Sequence, residues 1–227
     1  MSMQEQLDLF GSSAPTPQAA PGSAAGTPSP APRKDWSGNS KTAFSTLGAS
    51  NHSKEQRVQR DFYATPPKAV EMLLDMEKFS HSILEPCCGL GHISRVLVAH
   101  GHEVDNRDIE DRGFGRGGMD FLATDERDLD ADIITNPPYS LAQEFVEKAL
   151  DVVGAGHKVA MFLKLTFLEG KSRKRMFERY PPKVVYVSSS RLSCGRNGTE
   201  WNPSAVAYAW YIWEKGYKGD TVVKWFN

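Results

Sequence analysis

From Tyr63 onward the apolar positions switch between helical and strand periods. Val70, Leu73, Leu74 and Met76 recur at helical spacing and predict a helix over about 67–79, with Thr65 as N-cap and prolines in the first turn. Ser82, Ile83 and Leu84 form a short strand that stops at Glu85-Pro86, and Ile93, Val96, Leu97 and Val98 mark the next helix. A strand over 103–109 delivers Asp108 near its end, and a glycine-rich loop over 113–118 leads into Met119, Asp120, Phe121 and Leu122. The β-branched run over 132–135 stops at Asn136-Pro137-Pro138-Tyr139. An amphipathic helix over 141–153, a buried strand over 157–165 and a basic helix over 169–179 come next. The end of the chain reads as β over 183–188, 205–213 and 221–226, with Trp210 and Trp213 assigned to structure.

Strand and helix in alternation, then a β-rich ending, predict an α/β fold with a doubly wound, mostly parallel sheet. Ligands in such sheets bind beyond the carboxyl ends of the strands. Glu85, Asp108, Asp120 and Asn136 are all expected at strand ends on that edge. The domain runs over 58–227. Residues 1–57 are expected to be a disordered tail, because 11–32 is almost entirely Gly, Ser, Ala, Thr and Pro and offers little apolar surface to bury.

A formal net charge of −1 allows no global electrostatic attraction to nucleic acid, so any such face must be local. Three cysteines without paired spacing, apart from the adjacent Cys87 and Cys88, fit a reducing compartment, and no His/Cys spacing argues for a metal. His92, His100, His102 and His157 are read as surface or capping residues. With no secretory signal and no apolar run of membrane-spanning length, a cytoplasmic protein is expected.

Two stretches carry chemistry. Successive prolines lack N–H donors and have fixed φ, so Asn136-Pro137-Pro138-Tyr139 cannot continue a ladder and becomes a stiff loop. Its carbonyl oxygens and the Asn136 amide are acceptors for a planar substrate bearing an NH2 group, and Tyr139 offers a ring to stack on it. A proline-stiffened turn is the plainer reading. Upstream, Glu85-Pro86-Cys87-Cys88-Gly89-Leu90-Gly91 is a glycine turn between strand and helix, where a ligand can approach the backbone. Its acidic start suits a cationic ligand such as the amino group or sulfonium of S-adenosylmethionine. Asp108 follows Gly91 by 17 positions, near the spacing of ~20 expected of a carboxylate that grips ribose hydroxyls.

Together these motifs resemble the amino-methyltransferases, most closely the small phage-type DNA adenine-N6 methyltransferases, over roughly residues 58 to 226. Tyr63, Thr65 and Pro66 resemble their N-terminal cofactor motif, and Glu85, Pro86, Cys87, Gly89 and Gly91 their main cofactor loop. Asp108 matches the ribose-binding acid, with Ile109 beside it, and Asp120-Phe121 the pair contacting the cofactor's adenine. Asn136, Pro137, Pro138 and Tyr139 match the catalytic loop. The resemblance implies a seven-stranded Rossmann-like sheet, S-adenosyl-L-methionine as cofactor, and a target base flipped out of DNA and stacked on Tyr139. The chain departs from the family in having no insertion long enough for a separate target-recognition domain, which implies short or relaxed sequence specificity.

Phosphate contacts are sought in the basic cluster Lys171, Arg173, Lys174 and Arg175, preceded by Lys164, with Arg112, Arg116, Arg191 and Arg196 on loops at the same rim. A solvated helix face explains the cluster equally well. Residues 193–203 are read as a loop whose Trp201 either stacks on the flipped base or packs in the core. Gln6, Leu7, Leu9 and Phe10 resemble the pentapeptide by which bacterial replication and repair proteins dock on the sliding clamp; an unused terminus is the alternative. The same chemistry on RNA adenine, guanine N2 or a protein glutamine, and a non-catalytic nucleic-acid-binding module, remain open.

Overall fold

A computed structural model describes residues 63–190, 192–196, 200–203 and 206–226, with backbone only for 193–196 and 200–203. All of them belong to the unit Asn39–Asn227. The expected tail, the peptide Gln6–Phe10 and Arg191 lie outside the described residues.

The main sheet has seven strands: β2 (Ser82–Glu85), β3 (Glu103–Asn106), β4 (Asp132–Thr135), β5 (Lys158–Lys164), β6 (Val184–Ser188), β9 (Tyr208–Glu214) and β10 (Val222–Phe226). Their order is β10-β6-β9-β5-β4-β2-β3, and β9 alone runs antiparallel to its neighbours. Four helices cover the two faces: α1 (Pro67–Met76), α2 (His92–Ala99), α3 (Ala142–Val152) and α4 (Lys171–Arg179).

Side chains along a strand point alternately to opposite faces, and here both faces are buried. Ile83, Ile134, Phe162, Trp210 and Ile212 pack with α1 and α2, whereas Leu84, Ile133, Met161, Tyr211 and Trp213 pack with α3 and α4. The buried indoles also find acceptors: Trp210 Nε1 donates to Ala69 O at 2.8 Å and Trp213 Nε1 to Tyr180 O at 3.0 Å. Both tryptophans are structural, as expected.

Four expectations need correction. The segment 193–203 is not a loop between long strands. Its β7 (Ser193–Arg196) and β8 (Glu200–Pro203) pair antiparallel, and β1 (Tyr63–Ala64) adds to β7, with Tyr63 opposite Arg196. Short strands of Cys, Gly, Asn and Pro carry no alternating apolar signal, and their partner β1 lies far upstream. The strand expected over 103–109 stops at Asn106, where the chain doubles back: Arg116 N–H donates to Asn106 O and Asp108 N–H to Arg116 O. Asp120 sits on no strand; its Oδ1 accepts from Leu122 N–H at 3.0 Å and caps the single 3-10 turn Phe121–Ala123. Finally, His157 is no plain surface residue. Its ring bridges Asp132 Oδ1 at 2.9 Å and Asp130 Oδ1 at 3.0 Å at the amino-terminal edge of the sheet.

Candidate active site

β4 and β2 are parallel neighbours inside the sheet, so their carboxyl ends open at one place. An open cleft lies there, lined by both polar and apolar side chains. Its walls come from separate stretches of chain: Tyr63 of β1, Pro86 and Cys87 after β2, Asp108, Ile109, Glu110, Arg112 and Met119 to Leu122 after β3, Asn136 to Tyr139 and Leu141 after β4, and Phe145 of α3.

The loop after β4 shows how prolines create unused acceptors. Pro138 O is consumed, because it accepts from Leu141 N–H at 2.9 Å as the 3-10 turn Tyr139–Leu141 begins. Pro137 O has no hydrogen bond among the described residues. Asn136 Nδ2 donates to Tyr63 O at 2.7 Å. A backbone carbonyl can only accept, so this contact fixes the amide orientation and leaves Asn136 Oδ1 as the outward acceptor. Two open acceptors therefore stand side by side on a stiff loop, in contact with the cavity.

Tyr139 is embedded in aromatic neighbours. Its ring lies 5.8 Å from that of Tyr63, nearly parallel, and 6.0 Å from that of Tyr208. Lys164 Nζ stands 4.9 Å from the Tyr139 ring centroid, a cation–π distance. Lys164 is thereby brought to the loop that follows β4.

The acidic wall after β3 is built by Asp108. It is 7 % exposed, and its oxygens accept from Gly89 N–H at 2.8 Å and Glu110 N–H at 2.9 Å. A carboxylate has about four lone-pair sites, so capacity for further donors remains. Glu110 is exposed and lines the same cavity, as does Asp120. Ile109, Phe121 and Phe145 add an apolar wall, with the two phenyl rings stacked at 5.4 Å. The sequence reading missed Glu110, Met119, Leu122, Leu141 and Phe145 as lining residues. The Asp-x-Glu spacing over 108–110 was a usable signal; Phe145 was hidden, because on a helix it reads as core.

The glycine turn sits behind the wall rather than in it. Thr65, Pro66, Glu85, Gly89 and Gly91 do not line the cavity. Gly91 has φ +79, and the Phe114 ring occupies the space a Cβ would need. The Arg95 guanidinium lies 5.0 Å from the centroid of the same ring, and Cys88 Sγ donates to Phe114 O at 3.4 Å. The 113–118 loop thus roofs the turn. Glu85 is buried beneath it, with Ser94 Oγ donating to its carboxylate. Burial pushes the Glu85 carboxyl well above the usual range, the nearby Asp108 adds to the rise, and Ser94 opposes it. Burial likewise pushes the Cys88 thiol up to about 12, and that of Cys87 upward too; neither is set up as a nucleophile.

The basic residues divide into exposed and committed ones. Lys171, Lys174 and Arg175 are exposed on α4, with Lys174 paired to Glu178. Arg173 is structural: its Nε donates to Phe167 O at 2.8 Å and its guanidinium stacks on the Phe167 ring. Arg116 is held by Asp105 at 2.6 Å rather than offered to a phosphate. Arg112 lines the cavity. Trp201 lies in β8 and Arg196 in β7. Among the described residues no cluster of three potential metal ligands occurs, and no helix is long and apolar enough to cross a membrane.

No protein-family model matches the sequence, and no curated protein matches it closely enough to count as a relative. Solved structures do match. A protein of Pyrococcus horikoshii assigned as an RNA methyltransferase aligns with 77 % of this chain and 97 % of its own, at 16 % identity and a TM-score of 0.51. A class I S-adenosylmethionine-dependent methyltransferase from Listeria monocytogenes aligns over 81 % and 71 %, at 15 % identity and 0.51. The modification subunit of a type I restriction enzyme from Vibrio vulnificus aligns over 74 % of this chain but 48 % of its own, at 12 % identity and 0.52. The mixed α/β fold with its seven-stranded, mostly parallel sheet is accordingly the class I, Rossmann-like methyltransferase fold expected from the sequence.

Proposed function

We propose that this chain is an S-adenosylmethionine-dependent amino-methyltransferase that modifies the exocyclic N6 of an adenine flipped out of DNA. The observation that carries the reading is the pair of open acceptors, Asn136 Oδ1 and Pro137 O, on a loop whose other carbonyl is already spent. An aromatic amine is a poor nucleophile because its lone pair is delocalised into the ring. Accepting both of its hydrogens favours a pyramidal nitrogen and localises the pair. Positioning and electrostatics then supply most of the catalysis, and no strong base is required.

The cavity beside that loop fits the cofactor. Its apolar wall of Ile109, Phe121 and Phe145 suits an adenine ring, and Asp108 and Glu110 suit ribose hydroxyls. When bound, S-adenosylmethionine supplies an electrophilic methyl group. Asp120 is the acceptor offered to an exocyclic amine on the cofactor's base.

A nucleic-acid substrate is favoured by Lys164, which stands over the Tyr139 ring, and by the exposed cations Lys171, Lys174 and Arg175 on α4; DNA is the first reading because of the sequence resemblance. RNA is the second reading, suggested by the fold likeness to the Pyrococcus protein assigned as an RNA methyltransferase. The test is transfer of tritiated methyl groups from S-adenosylmethionine to a single-stranded circular DNA, its duplex form and an RNA of the same sequence. Nucleoside mass spectrometry then identifies the product. N6-methyladenine in DNA is expected; label confined to RNA selects the second reading, and label in none of them rejects both. We further propose that Gln6, Leu7, Leu9 and Phe10 dock on the bacterial sliding clamp and raise local concentration on DNA. Replacing Leu9 and Phe10 by Ala should then abolish co-elution with the clamp; equal binding by the double variant removes that partner.

A further inference from the structure

The last carbonyl of β5, Lys164 O, and three consecutive carbonyls of the turn Leu165–Leu168 that follows it accept from side-chain donors. The single proton of Tyr211 OH is shared between Lys164 O at 3.3 Å and Leu165 O at 3.2 Å, and Arg173 donates to Thr166 O at 3.3 Å and Phe167 O at 2.8 Å. Leu165 N–H donates to Ala207 O at 2.8 Å. The Phe167 ring is buried edge-on against Tyr211, at 5.5 Å, and beneath the Arg173 guanidinium. A turn held this firmly would be expected to bury its remaining apolar residue. Instead Leu168, its last residue, is 45 % exposed.

Its position is informative. β5 lies beside β4, with Met161 level with Thr135, so Lys164 stands three residues, about 10 Å, further toward the carboxyl edge. Lys164 Nζ reaches back over the Tyr139 ring. Leu168 therefore projects from the rim beside the catalytic loop, with the cationic residues Lys171, Lys174 and Arg175 immediately downstream.

From this juxtaposition we infer that Leu168 is a wedge that enters the base stack of a duplex and occupies the gap left by the extruded adenine. Such a wedge rests on the proposed base-modifying activity. An apolar side chain between base steps offsets part of the unstacking cost, provided its backbone does not yield as it is driven in. Tyr211 and Arg173, which hold the backbone from Lys164 to Phe167, and the buried Phe167 ring provide that stiffness. Lys164 and the α4 lysines neutralise the flanking phosphates and set the depth of approach. A single-stranded substrate has no stack to open, so the wedge matters only for duplexes.

The experiment compares full-length wild type, Leu168→Ala and Leu168→Phe on the single-stranded circular DNA and its duplex form. A cofactor-independent readout is added: the fluorescence rise of a duplex carrying 2-aminopurine in place of adenine, which reports extrusion. Leu168→Ala is expected to lose duplex methylation at least about tenfold and to lose the fluorescence rise. It should stay within about twofold of wild type on single strands, and Leu168→Phe should keep duplex activity. An unaffected duplex rate in Leu168→Ala, or an equal loss on both DNA forms, overturns the wedge while leaving the catalytic reading intact. If wild type labels neither DNA, the DNA reading fails and the wedge falls with it.

Discussion

At the amino-terminal edge of the sheet, the buried acids are answered. Asp132 accepts from Ser80 N–H at 2.7 Å and Lys158 N–H at 2.8 Å and faces the His157 ring, while Glu77 takes Tyr186 OH at 2.7 Å and Lys158 Nζ at 2.9 Å. At the carboxyl edge, Asn136 Oδ1, Pro137 O and the Glu110 carboxylate remain open to a ligand, although the same sheet carries both edges. The difference lies in the chain segments attached to each strand end. Before β4 and β5 the chain brings donors back to the acids; after β4, two prolines remove the donors. A polar group with its partners in place contributes stability, and one held rigid without them is ready for a substrate.

The sharpest way to break this comparison is a pair of substitutions at opposite ends of β4. Asn136→Ala is expected to lower the methylation rate by ~10²–10³ with little change in melting temperature. Asp132→Ala is expected to cost about 3 kcal/mol of stability, a fall of roughly 6–12 °C, because it strands two backbone donors. Activity per folded molecule should survive in Asp132→Ala. Equal losses of rate and stability in both variants would erase the distinction between the edges.

Gly91→Val probes where the carboxyl edge stops being a ligand surface. The space next to Gly91 belongs to Phe114 and φ is +79, so overpacking and backbone strain together should cost about 2–3 kcal/mol. Combining it with Phe114→Ala should recover part of that loss in thermal unfolding. If Gly91→Val melts like wild type and only cofactor affinity falls, the turn faces the ligand instead.

Glu85 is the most deeply buried acid of the carboxyl edge, and its raised carboxyl gives a pH signature. Between the unfolded value of about 4.3 and the raised folded value, the folded state holds a proton that the unfolded state has released. Stability from this group is therefore complete below about pH 4.3 and is lost as pH rises, by ~1.4 kcal/mol per unit across the window. Glu85→Gln cannot ionise, so its urea-unfolding free energy should fall less than that of wild type between pH 5 and 8. Parallel pH profiles would mean that Glu85 does not hold its proton.

The smallest effect is expected on α4. Lys171→Glu with Lys174→Glu should weaken DNA binding on every sequence and reduce its salt slope by about 2. Arg173→Ala should instead lower the melting temperature, since it releases two carbonyls of the Leu165–Leu168 turn. An unchanged salt slope for the lysine pair would reduce α4 to a solvated face.

Much of the fold was legible because its causes are local. Ile83-Leu84 and Ile133-Ile134 announce strands buried on both faces, and the residues from Tyr208 to Trp213 alternate between the two cores. Prolines 137 and 138 forbid continuation of β4 whatever surrounds them. The motif residues Asp108, Asn136 and Tyr139 could therefore be placed at one edge from their strand ends. The rest depended on partners distant in sequence. The Phe114 ring took the space beside Gly91, and Tyr63 O chose which Asn136 atom faces outward. Asp105 claimed Arg116, the turn over 165–168 claimed Arg173, and β1 joined β7 and β8 in a small sheet. Periodicity reports which face of an element is apolar; which donor meets which acceptor is settled only when segments far apart in the chain are packed together.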